Sequence, residues 1–571
     1  MCGIWQLFID TKTLSNVELQ QFLALFNNVK ARGPDESTFE IKDNSIIGFH
    51  RLAINGLNSN GMQPFTYEDN NFKYTLICNG EIYNYSKLEE LLNFKSKSNS
   101  DCEVLLPFFI EYCKEDIIKF LNYINGEFAL IIYKTNIHDN KSDIYLATDP
   151  LSVRPIFYQE NPNSLLVSSL LSGLLTARTG LTKNVLETYR LKQGEVRHYI
   201  QYPNEIHFIS SNIYHDYLNY DLDMKIEDND LYKLIVCTFT DAVERRLMSD
   251  KPLCCLLSGG LDSSLVAAIA QRLIKQKNIN NTLHTFTIGM KGGSDLEYAK
   301  QVADFIGSNH TEVYFTPDEG LNAIDDVIKA CETFDITTIR ASVGQHLIAK
   351  YISQNTDFKV ILNGDGADEV EMGYIYFYLA PNAMEAQEES MKLVKNISMF
   401  DGLRVDRNIS HFGLEARVPF LDKEFVNMYL NIEPSLKIPT KLRMEKYLIR
   451  KAFEVIYKND QLLPSDILWR KKEAFSDGIS QKEKSWYVMT QEYGKTKINE
   501  NELEFLQFLH RDHIPPTSHE SAYYRKKFTE YFGNSAEKCI PYFWLPNWSD
   551  NKDPSARTLQ IYNEKLSNAN H

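Results

Sequence analysis

The chain has 571 residues, of which 24% are charged and 43% hydrophobic, and its formal net charge is −15 at pH 7. This length predicts two or more domains, each large enough to bury a core. The acidic balance and the lack of a long Lys/Arg block argue against nucleic acid as the main partner. No apolar run reaches the length of a membrane span, and the N-terminus lacks the pattern of a signal peptide.

Cysteine usage indicates a reducing compartment. The nine cysteines are an odd number, are scattered along the chain and form no C-x-x-C pair. Cys254 and Cys255 are adjacent in a predicted strand, so their side chains would point to opposite faces and could not bind one metal together. We therefore expect a cytoplasmic protein with free thiols.

Cys2 is the first candidate for a catalytic nucleophile. A small second residue favours removal of Met1, which would leave Cys2 with a free α-amino group. This amine has a reference pKa of about 7.7–8.0, so it can serve as the base for its own thiol. The alternative is that Cys2 only precedes a buried strand, which the apolar residues 4–9 predict.

Polar residues further along supply the other groups that hydrolysis of an amino-acid amide needs. Arg51 lies in an otherwise apolar segment and can pair with an α-carboxylate. Asp101, in the segment 100–103 that we expect to open a helix, can accept a hydrogen bond from an α-ammonium group. The Asn79 side-chain amide and the Gly80 N–H can stabilise a tetrahedral oxyanion. Each of these, taken alone, could equally be a turn, a salt bridge or a cap.

Five short motifs occur in the first part of the chain, in this order: Cys2-Gly3-Ile4, Arg32-Gly33-Pro34-Asp35, Arg51-Leu52, Asn79-Gly80-Glu81-Ile82-Tyr83-Asn84 and Ser100-Asp101. Together they resemble the glutaminase domain of class II glutamine amidotransferases. The resemblance implies an N-terminal-nucleophile (Ntn) hydrolase αββα sandwich that releases ammonia from glutamine, with Cys2, Asn79 and Gly80 in catalysis. It implies a glutamine-binding set of Arg51, Leu52, Ala53, Ile54, Asn55, Asn79, Gly80, Glu81 and Asp101.

A polar segment separates the two halves of the chain. Residues 201–231 are rich in Asn, Asp and Tyr and have few periodic apolar positions. We predict a first domain over 1–205, a linker over 206–230 and a second domain over 231–571. A helix is expected to resume near Leu231.

The second half contains a strand, a Gly-rich turn and a helix start. An apolar run at 253–257 is followed by Ser258-Gly259-Gly260 and then by a helical pattern. Free backbone N–H groups at such a turn bind anions. Asp262 would repel a bare phosphate, so its presence suggests a divalent cation between the carboxylate and phosphates. The Lys of a Walker P-loop is absent. The alternative is a plain Gly turn with a capping Asp or Ser.

Further strands are predicted at 283–290, 312–315 and 360–362, alternating with helices. This alternation predicts a doubly wound parallel sheet, whose ligands bind at the carboxyl ends of the strands. The loop after the last of these strands carries Asp365 and Asp368. A solvated acidic turn is the alternative there, although Asp368 could share one cation with Asp262.

Several further motifs accompany these loops: Ser258-Gly259-Gly260-Leu261-Asp262-Ser263, Thr337-Thr338-Ile339-Arg340-Ala341-Ser342, Gly366-Ala367-Asp368-Glu369, the stretch 413–422, Met444-Glu445-Lys446, the stretch 469–478 and the stretch 553–559. They resemble the synthetase domain of asparagine synthetases, within the N-type ATP pyrophosphatases. The resemblance implies an adenine nucleotide α-hydrolase-like fold.

The implied substrates are ATP, aspartate and glutamine, with Mg²⁺ as cofactor. The implied reaction passes through β-aspartyl-AMP, which is attacked by ammonia channelled from Cys2, and the implied assembly is a homodimer. Asp365 and Lys446 would be catalytic, and Asp262 and Asp368 would hold the metal. The implied ATP-binding set is Leu257, Ser258, Gly259, Gly260, Asp262, Ser263, Ile288, Asn363 and Gly364.

The sequence departs from the family at the third loop. Asn363 stands where the family has Ser, Asp365 where it has Glu, and Glu371-Met372 where it has Phe-Gly. The Asp365 side chain is one methylene shorter, and a misplacement of about 1 Å can cost about a hundredfold in rate. Two alternatives therefore stay open. One is a related synthetase that acts on another carboxylate, and the other is a regulatory relative with an impaired synthetase site.

Overall fold

The structure, a computed structural model, describes residues 1–175, 186–217, 228–277, 282–472, 478, 485–555 and 559. The strands are β1 Gly3–Phe8, β2 Glu36–Lys42, β3 Ser45–Arg51, β4 Phe65–Glu68, β5 Phe72–Ile82, β6 Gly126–Asn136, β7 Ser142–Thr148, β8 Phe157–Asn161, β9 Ser164–Ser168, β10 Tyr189–Arg190, β11 Glu195–Tyr202, β12 Glu205–Ile213, β13 Leu253–Leu256, β14 His284–Gly289, β15 Asn309–Tyr314, β16 Val360–Leu362 and β17 Glu415–Arg417.

The helices are α1 Asn16–Asn27, α2 Tyr85–Leu92, α3 Leu105–Pro107, α4 Ile117–Tyr123, α5 Asp228–Arg245, α6 Leu261–Gln276, α7 Ser294–Ile306, α8 Pro317–Asn322, α9 Ile324–Cys331, α10 Ile336–Asn355, α11 Ala367–Val370, α12 Ala383–Asn396, α13 Asp401–Ser410, α14 Lys423–Leu430, α15 Pro434–Lys437, α16 Tyr447–Ile456, α17 Ser465–Leu468, α18 Trp486–Lys497, α19 Glu500–Leu509 and α20 His519–Phe532. Turns of 3₁₀ helix lie at Thr11–Thr13, Lys30–Arg32, Ser59–Gly61, Leu171–Gly173, Ile375–Leu379, Ile397–Met399, Pro419–Leu421 and Asn534–Cys539, and a π-helical turn lies at Phe108–Tyr112.

Two six-stranded sheets, in the orders β10-β8-β9-β1-β3-β2 and β12-β11-β7-β6-β5-β4, form the N-terminal half. Their strand pairs are antiparallel. Because side chains alternate along a strand, β1 sends Ile4 and Phe8 into the core between the sheets and Trp5 to the opposite face. Ile77 of β5 and Ile131 of β6 meet the β1 residues in that core.

Helices cover the outer faces of both sheets. Phe22 and Phe26 of α1 pack against Trp5, and the Trp5 and Phe22 ring centroids are 6.1 Å apart. On the other side, Leu88 of α2 and Phe120 of α4 join the outward-facing residues of β5 and β6. The four layers confirm the predicted αββα sandwich.

A five-stranded parallel sheet, in the order β15-β14-β13-β16-β17, forms the centre of the C-terminal half. The chain runs outward from β13 to β15 on one side and then adds β16 and β17 on the other. Helices α6, α7 and α10 pack against the sheet. The order confirms the predicted doubly wound sheet and places a topological switch point beside β13, where such sheets bind ligands.

The segment 206–230, predicted as a linker, begins as a strand. Residues 205–213 form β12, which pairs antiparallel with β11 at the edge of the second sheet. Most side chains of β12 are exposed, so the strand lacks the apolar alternation that marks a half-buried strand. Residues 218–227 lie outside the described part, and α5 begins at Asp228.

The cysteines agree with the expected chemistry, because all nine are free thiols. Cys254 and Cys255 are both buried in β13. None of the helices in the described ranges combines the length and apolarity that crossing a bilayer requires.

Buried ion pairs join the two halves. Arg32 Nη1 lies 2.7 Å from Asp406 Oδ2, and Arg154 Nη1 lies 3.1 Å from Asp406 Oδ1. Glu127 pairs with Arg154 at 2.9 Å and with Arg246 at 3.0 Å. Burial alone would raise the pKa of Asp406, but the two arginines outweigh it and lower this pKa to about 2. One carboxylate of α13 thus holds two guanidinium groups of the sandwich.

Asp406→Ala removes the partner of two buried cations, Arg32 and Arg154. We expect it to lower the free energy of unfolding by about 3–5 kcal/mol, because a buried charge is then left uncompensated. Urea denaturation followed by circular dichroism measures the change, with each transition fitted separately. The control is Glu388→Ala on an exposed position of α12, for which we expect a change within about 0.5 kcal/mol. An equal effect of the two variants would contradict the role of the network.

Candidate active sites

Cys2 lies just before β1, at the edge of the sandwich that faces the C-terminal half. Its backbone N–H donates to Asn79 Oδ1 at 2.7 Å, and the Leu52 N–H lies 3.5 Å from its Sγ. Burial raises the pKa of the Cys2 thiol to about 11. The thiol is therefore protonated at neutral pH, and its use as a nucleophile requires a base. Cleavage of the Met1–Cys2 bond would free such a base, the α-amine of Cys2 itself.

Asn79 and Gly80 lie near the end of β5, beside Cys2. While Asn79 Oδ1 accepts from Cys2, its Nδ2 is a buried donor that meets no acceptor among the described residues. Buried donors are rarely left in this state. At Gly80, an added Cβ would lie 2.4 Å from the carbonyl oxygen of Glu127, so only glycine allows β5 this close to β6. The Asn79 Nδ2 donor is suited to bind an oxyanion.

Arg51 ends β3 and is nearly fully buried. Its Nη1 donates to the Asn58 carbonyl at 2.8 Å and lies 3.2 Å from Glu36 Oε2, and its Nη2 donates to the Gly56 carbonyl. Gly56 has a φ of +62°, which allows the loop to curl around the guanidinium. The loop thus fixes this cation within the region of Cys2.

The residues after Arg51 lie along the same edge. The Ala53 N–H donates to Asp35 Oδ2 at 2.9 Å, and Asn55 Nδ2 donates to Glu81 Oε2 at 2.5 Å. Ile54 packs with Val360 of β16, across the boundary between the halves. The predicted glutamine-binding segment is therefore ordered partly by the C-terminal half.

Asp101 is buried next to the end of β5. Its Oδ2 accepts from the Ile82 N–H at 2.7 Å, and burial raises the pKa of its carboxyl to about 6. The helix that we expected to open at 100–103 begins later, since residues 101–104 form a turn and α3 starts at Leu105. The turn directs Asp101 to the strand end instead of placing it in a first helical turn.

Glu81 faces the other half of the molecule. Besides the bond from Asn55, its Oε2 lies 3.2 Å from Arg417 Nη2 of β17. The carboxylate predicted to help bind glutamine is thus engaged by two protein groups.

The second site is a cavity of about 300 Å³ at the carboxyl ends of β13, β14 and β16. Eleven of the residues predicted for the synthetase site line this cavity: Leu257, Ser258, Gly260, Asp262, Ser263, Ile288, Asn363, Gly364, Asp365, Asp368 and Lys446. The cavity lies where the sequence predicted a ligand site, at the carboxyl ends of the strands. Their roles toward a nucleotide stay predictions.

Gly259 lets the loop after β13 pack closely against α7. Its φ is +71°, and an added Cβ would lie 2.4 Å from Cβ of Tyr298 in α7. Gly364 brings the third loop against the first turn of α6, because a Cβ there would lie 2.8 Å from the Ser263 nitrogen. Ser258 Oγ and Ser263 Oγ are 3.0 Å apart. The loop and the N-terminus of the sixteen-residue α6 thus point donors at one volume.

Lys446 joins the two carboxylates predicted to hold the metal. Its Nζ lies 2.6 Å from both oxygens of Asp262 and 2.6 Å from Asp368 Oδ1, and Lys472 pairs with Asp368 Oδ2. Burial alone would raise the pKa of Asp368, but the two lysines outweigh it and hold this pKa below its ordinary value. An added Cβ at Gly373 would lie 2.2 Å from Lys446 Cε, so glycine there lets the lysine pass.

Asp262 and Asp368 fit the expected Mg²⁺. Mg²⁺ prefers carboxylate oxygens and usually binds through one or two carboxylates together with substrate phosphates. Here two carboxylates converge on one cationic group, the Lys446 ammonium, and the donor-rich start of α6 lies beside them. The same convergence would suit a divalent cation carried by phosphates.

The third loop retains an ordered acid despite its departures from the family pattern. Asp365 pairs with Arg404 of α13 and accepts from Gln345 Nε2 of α10 at 2.7 Å, while its N–H donates to Asn363 Oδ1 at 2.8 Å. Asn363 thus shapes the loop around the shorter side chain. Glu371 is fully buried, and burial raises the pKa of its carboxyl well above the ordinary value.

Several groups in the cavity had no role in the sequence prediction. Arg404 comes from α13, which carries none of the matched motifs, and Gln345 lies in α10 just after the matched stretch 337–342. Only the tertiary fold brings the two to Asp365. Lys472 lay in a matched stretch without an assigned role. Arg340, also in a matched stretch, lines the cavity and pairs with Glu520 and Asp553. Residues 473–477 and 556–558 of the matched stretches lie outside the described residues.

Comparison with known proteins covers both halves. Residues 236–393 and 380–532 match the family model of asparagine synthase, and residues 1–215 match that of a glutamine amidotransferase domain. The chain is 40% identical over 587 aligned residues to an asparagine synthetase [glutamine-hydrolyzing] of Gallus gallus, across 99% of this chain and 100% of the relative. The proteins of the same name from Mus musculus and Homo sapiens are each 38% identical, across 98% of this chain and 99% of the relative.

The sequence identity extends over essentially the whole length of this chain and of each relative, so it includes both halves and both candidate sites. The chain belongs to the family of glutamine-hydrolysing asparagine synthetases.

Proposed function

We propose that this chain converts L-aspartate, L-glutamine and ATP into L-asparagine, L-glutamate, AMP and pyrophosphate. The observation that carries the proposal is the pairing, in one family member, of two sites: a buried Cys2 beside the free amide donor of Asn79, and a cavity where Lys446 meets Asp262 and Asp368. The first arrangement suits amide hydrolysis, and the second suits phosphate chemistry.

In the first site, the Cys2 sulfur attacks the side-chain amide carbon of glutamine, and the freed α-amine of Cys2 takes the thiol proton. Asn79 Nδ2 and the Gly80 N–H stabilise the oxyanion that forms. Ammonia leaves with the transferred proton, and water then hydrolyses the thioester to glutamate. Arg51 holds the α-carboxylate of the substrate and Asp101 accepts from its α-ammonium.

In the second site, an oxygen of the aspartate β-carboxylate attacks the α-phosphorus of ATP, and the bond to pyrophosphate breaks. Lys446 and the N-terminus of α6 stabilise the charge that develops on the leaving pyrophosphate. Asp262 and Asp368 would hold Mg²⁺, which when bound neutralises phosphate charge. Ammonia then attacks the β-acyl carbon of β-aspartyl-AMP, AMP leaves, and Asp365 would take up the extra proton.

Ammonia has to reach the adenylate without becoming ammonium in bulk water. We propose an internal passage across the boundary between the halves. Its support is that Cys2 faces this boundary: Arg32 Nε donates to the Cys2 carbonyl at 3.1 Å, and the same arginine pairs with Asp406 of α13. Helix α13 also carries Arg404, the partner of Asp365.

We further propose a cytoplasmic homodimer. Nine free thiols support a reducing compartment, and the family resemblance supports the dimer. Light scattering should give twice the 66.1 kDa of one chain, and a mass of one chain at micromolar concentration would contradict the dimer.

The activity is tested by measuring AMP, asparagine and glutamate with either glutamine or ammonium as nitrogen source. Cys2→Ala should lose the glutamine-driven reaction and keep the ammonium-driven one, because only the nucleophile is removed. Asp365→Asn should lower asparagine formation from both sources by about a hundredfold or more and keep glutamate release. The two variants are matched controls for each other.

Two results would overturn the proposal. If the wild type releases glutamate but forms no AMP from aspartate with either source, the synthetase half is impaired or uses another acid. AMP formation that depends on a different carboxylate would establish that acid as the substrate. Glutamate release by Cys2→Ala at the wild-type rate would remove Cys2 as nucleophile.

Glutamine hydrolysis should depend on the ionisation of Asp101. With a carboxyl pKa of about 6, Asp101 loses its charge as the pH falls through that value, and it can then no longer bind the substrate ammonium as an anion. We expect kcat/KM for glutamine to fall about tenfold per pH unit below pH 6. Asp101→Asn should have a low kcat/KM for glutamine at all pH values and should not show the fall below pH 6. If the fall persists in this variant, it belongs to the ionisation of another group.

A further inference from the structure

Arg417 belongs to the C-terminal half, yet its guanidinium lies against the glutaminase site. It ends β17, at the edge of the parallel sheet, and is fully buried. Its Nη2 lies 3.2 Å from Glu81 Oε2, and its Nε donates to Glu415 Oε1 at 2.8 Å. Its Nη1 donates to the Arg246 carbonyl at 2.9 Å and to the carbonyl of Met248. The three hydrogen-bond acceptors fix the orientation of the guanidinium, and in that orientation Nη2 faces the Glu81 carboxylate as an ion pair.

Glu81 follows directly on the two predicted oxyanion donors. It lies in β5 after Asn79 and Gly80, so a displacement of Glu81 moves the backbone that carries them. Its carboxylate is buried, and its two polar partners in the structure come from Asn55 and from Arg417. The end of β5 is therefore tied on one side to the glutamine-binding loop and on the other to the synthetase half.

The same arginine is also tied to the ATP-site loop. The Arg417 carbonyl accepts from the Asn363 N–H at 3.0 Å, and Asn363 Oδ1 in turn accepts from the Asp365 N–H at 2.8 Å. This second tie uses the backbone of Arg417, so a change of side chain at 417 leaves it in place. The side-chain and backbone contacts can therefore be separated by substitution.

We propose that Arg417 is a positioning residue of the glutaminase site, supplied by the synthetase half, which acts by holding Glu81 and thereby the Asn79–Gly80 donors in place against Cys2. The inference rests on the proposed function. It implies that the site for glutamine is complete only when the two halves are docked. Arginine suits this role because its planar fork serves several acceptors at once, which a lysine ammonium cannot reproduce in the same geometry.

An alternative is that the Arg417–Glu81 pair only stabilises the boundary between the halves. A loss of stability alone would reduce both activities in step. A positioning role acts on stabilisation of the oxyanion, which is made only in the transition state, so it lowers kcat and leaves KM for glutamine nearly unchanged.

The test uses the full chain and the variants Arg417→Lys, Glu81→Gln and their combination. For Arg417→Lys we expect kcat for glutamine hydrolysis to fall about tenfold or more, with KM changed less than about threefold. Ammonium-driven asparagine formation should stay within about twofold, because the backbone tie to Asn363 persists. The double variant should be no slower than the slower single variant, since both substitutions break one contact.

Two control variants make the outcome decisive. Asn79→Ala is the positive control for loss of an oxyanion donor, and Arg525→Lys, a buried arginine paired with Glu537 among the C-terminal helices, controls for the general effect of such a change. The inference would be overturned if Arg417→Lys hydrolysed glutamine with the kcat of the wild type. It would also be overturned if glutamine hydrolysis and ammonium-driven asparagine formation fell equally. Either result would leave the proposed function intact. If glutamine hydrolysis did not depend on Cys2 at all, the proposed function would be overturned instead.

Discussion

The buried charges between the two halves are the constraint on which the rest of the structure depends. Arg32, Arg154 and Arg246 come from either side of the boundary, and each is nearly inaccessible to solvent. A guanidinium in that position is tolerated only when carboxylates meet it with good geometry, and Glu127 and Asp406 do so. Because such pairs are specific in distance and direction, they fix how the sandwich sits on the parallel sheet. The positions of Cys2 and of the cavity follow from that docking.

A second balance of charge operates inside the cavity. Two carboxylates and two lysines lie within contact distance, so the charges of these four groups compensate one another. A triphosphate entering it would bring negative charge toward Lys446 and Lys472 and would compete with Asp262 and Asp368 for them. In the proposed function, this arrangement would let acids stand beside bound phosphates without making the site repulsive.

The sequence was most informative where local pattern and chemistry coincide. The apolar run and glycines around Ser258 predicted the strand, turn and helix start that the structure contains, because buried apolar residues on either side of the turn mark the strand and the helix. Asn79 was likewise found from its place at a strand end, and its unsatisfied amide now gives that prediction a physical basis.

Other features could not be read from local pattern. Arg404 reaches Asp365 only because α13 packs beside the sheet, and neither residue has a neighbour in sequence that signals the pair. The edge strand β12 escaped prediction because both its faces are largely exposed, which removes the alternation that reveals a strand. In the segment 101–104, which forms a turn, Asp101 accepts from the Ile82 N–H of β5, a tertiary contact that the local pattern does not reveal.

The ion pairs across the boundary also bear on how such chains can be recombined. A crossover between relatives near residues 218–227 would take Arg32, Glu81 and Arg154 from one parent and Asp406 and Arg417 from the other. A hybrid whose parents differ at these positions would bury mismatched charges even if each half were well formed. A viable exchange therefore has to carry the partners of each pair together.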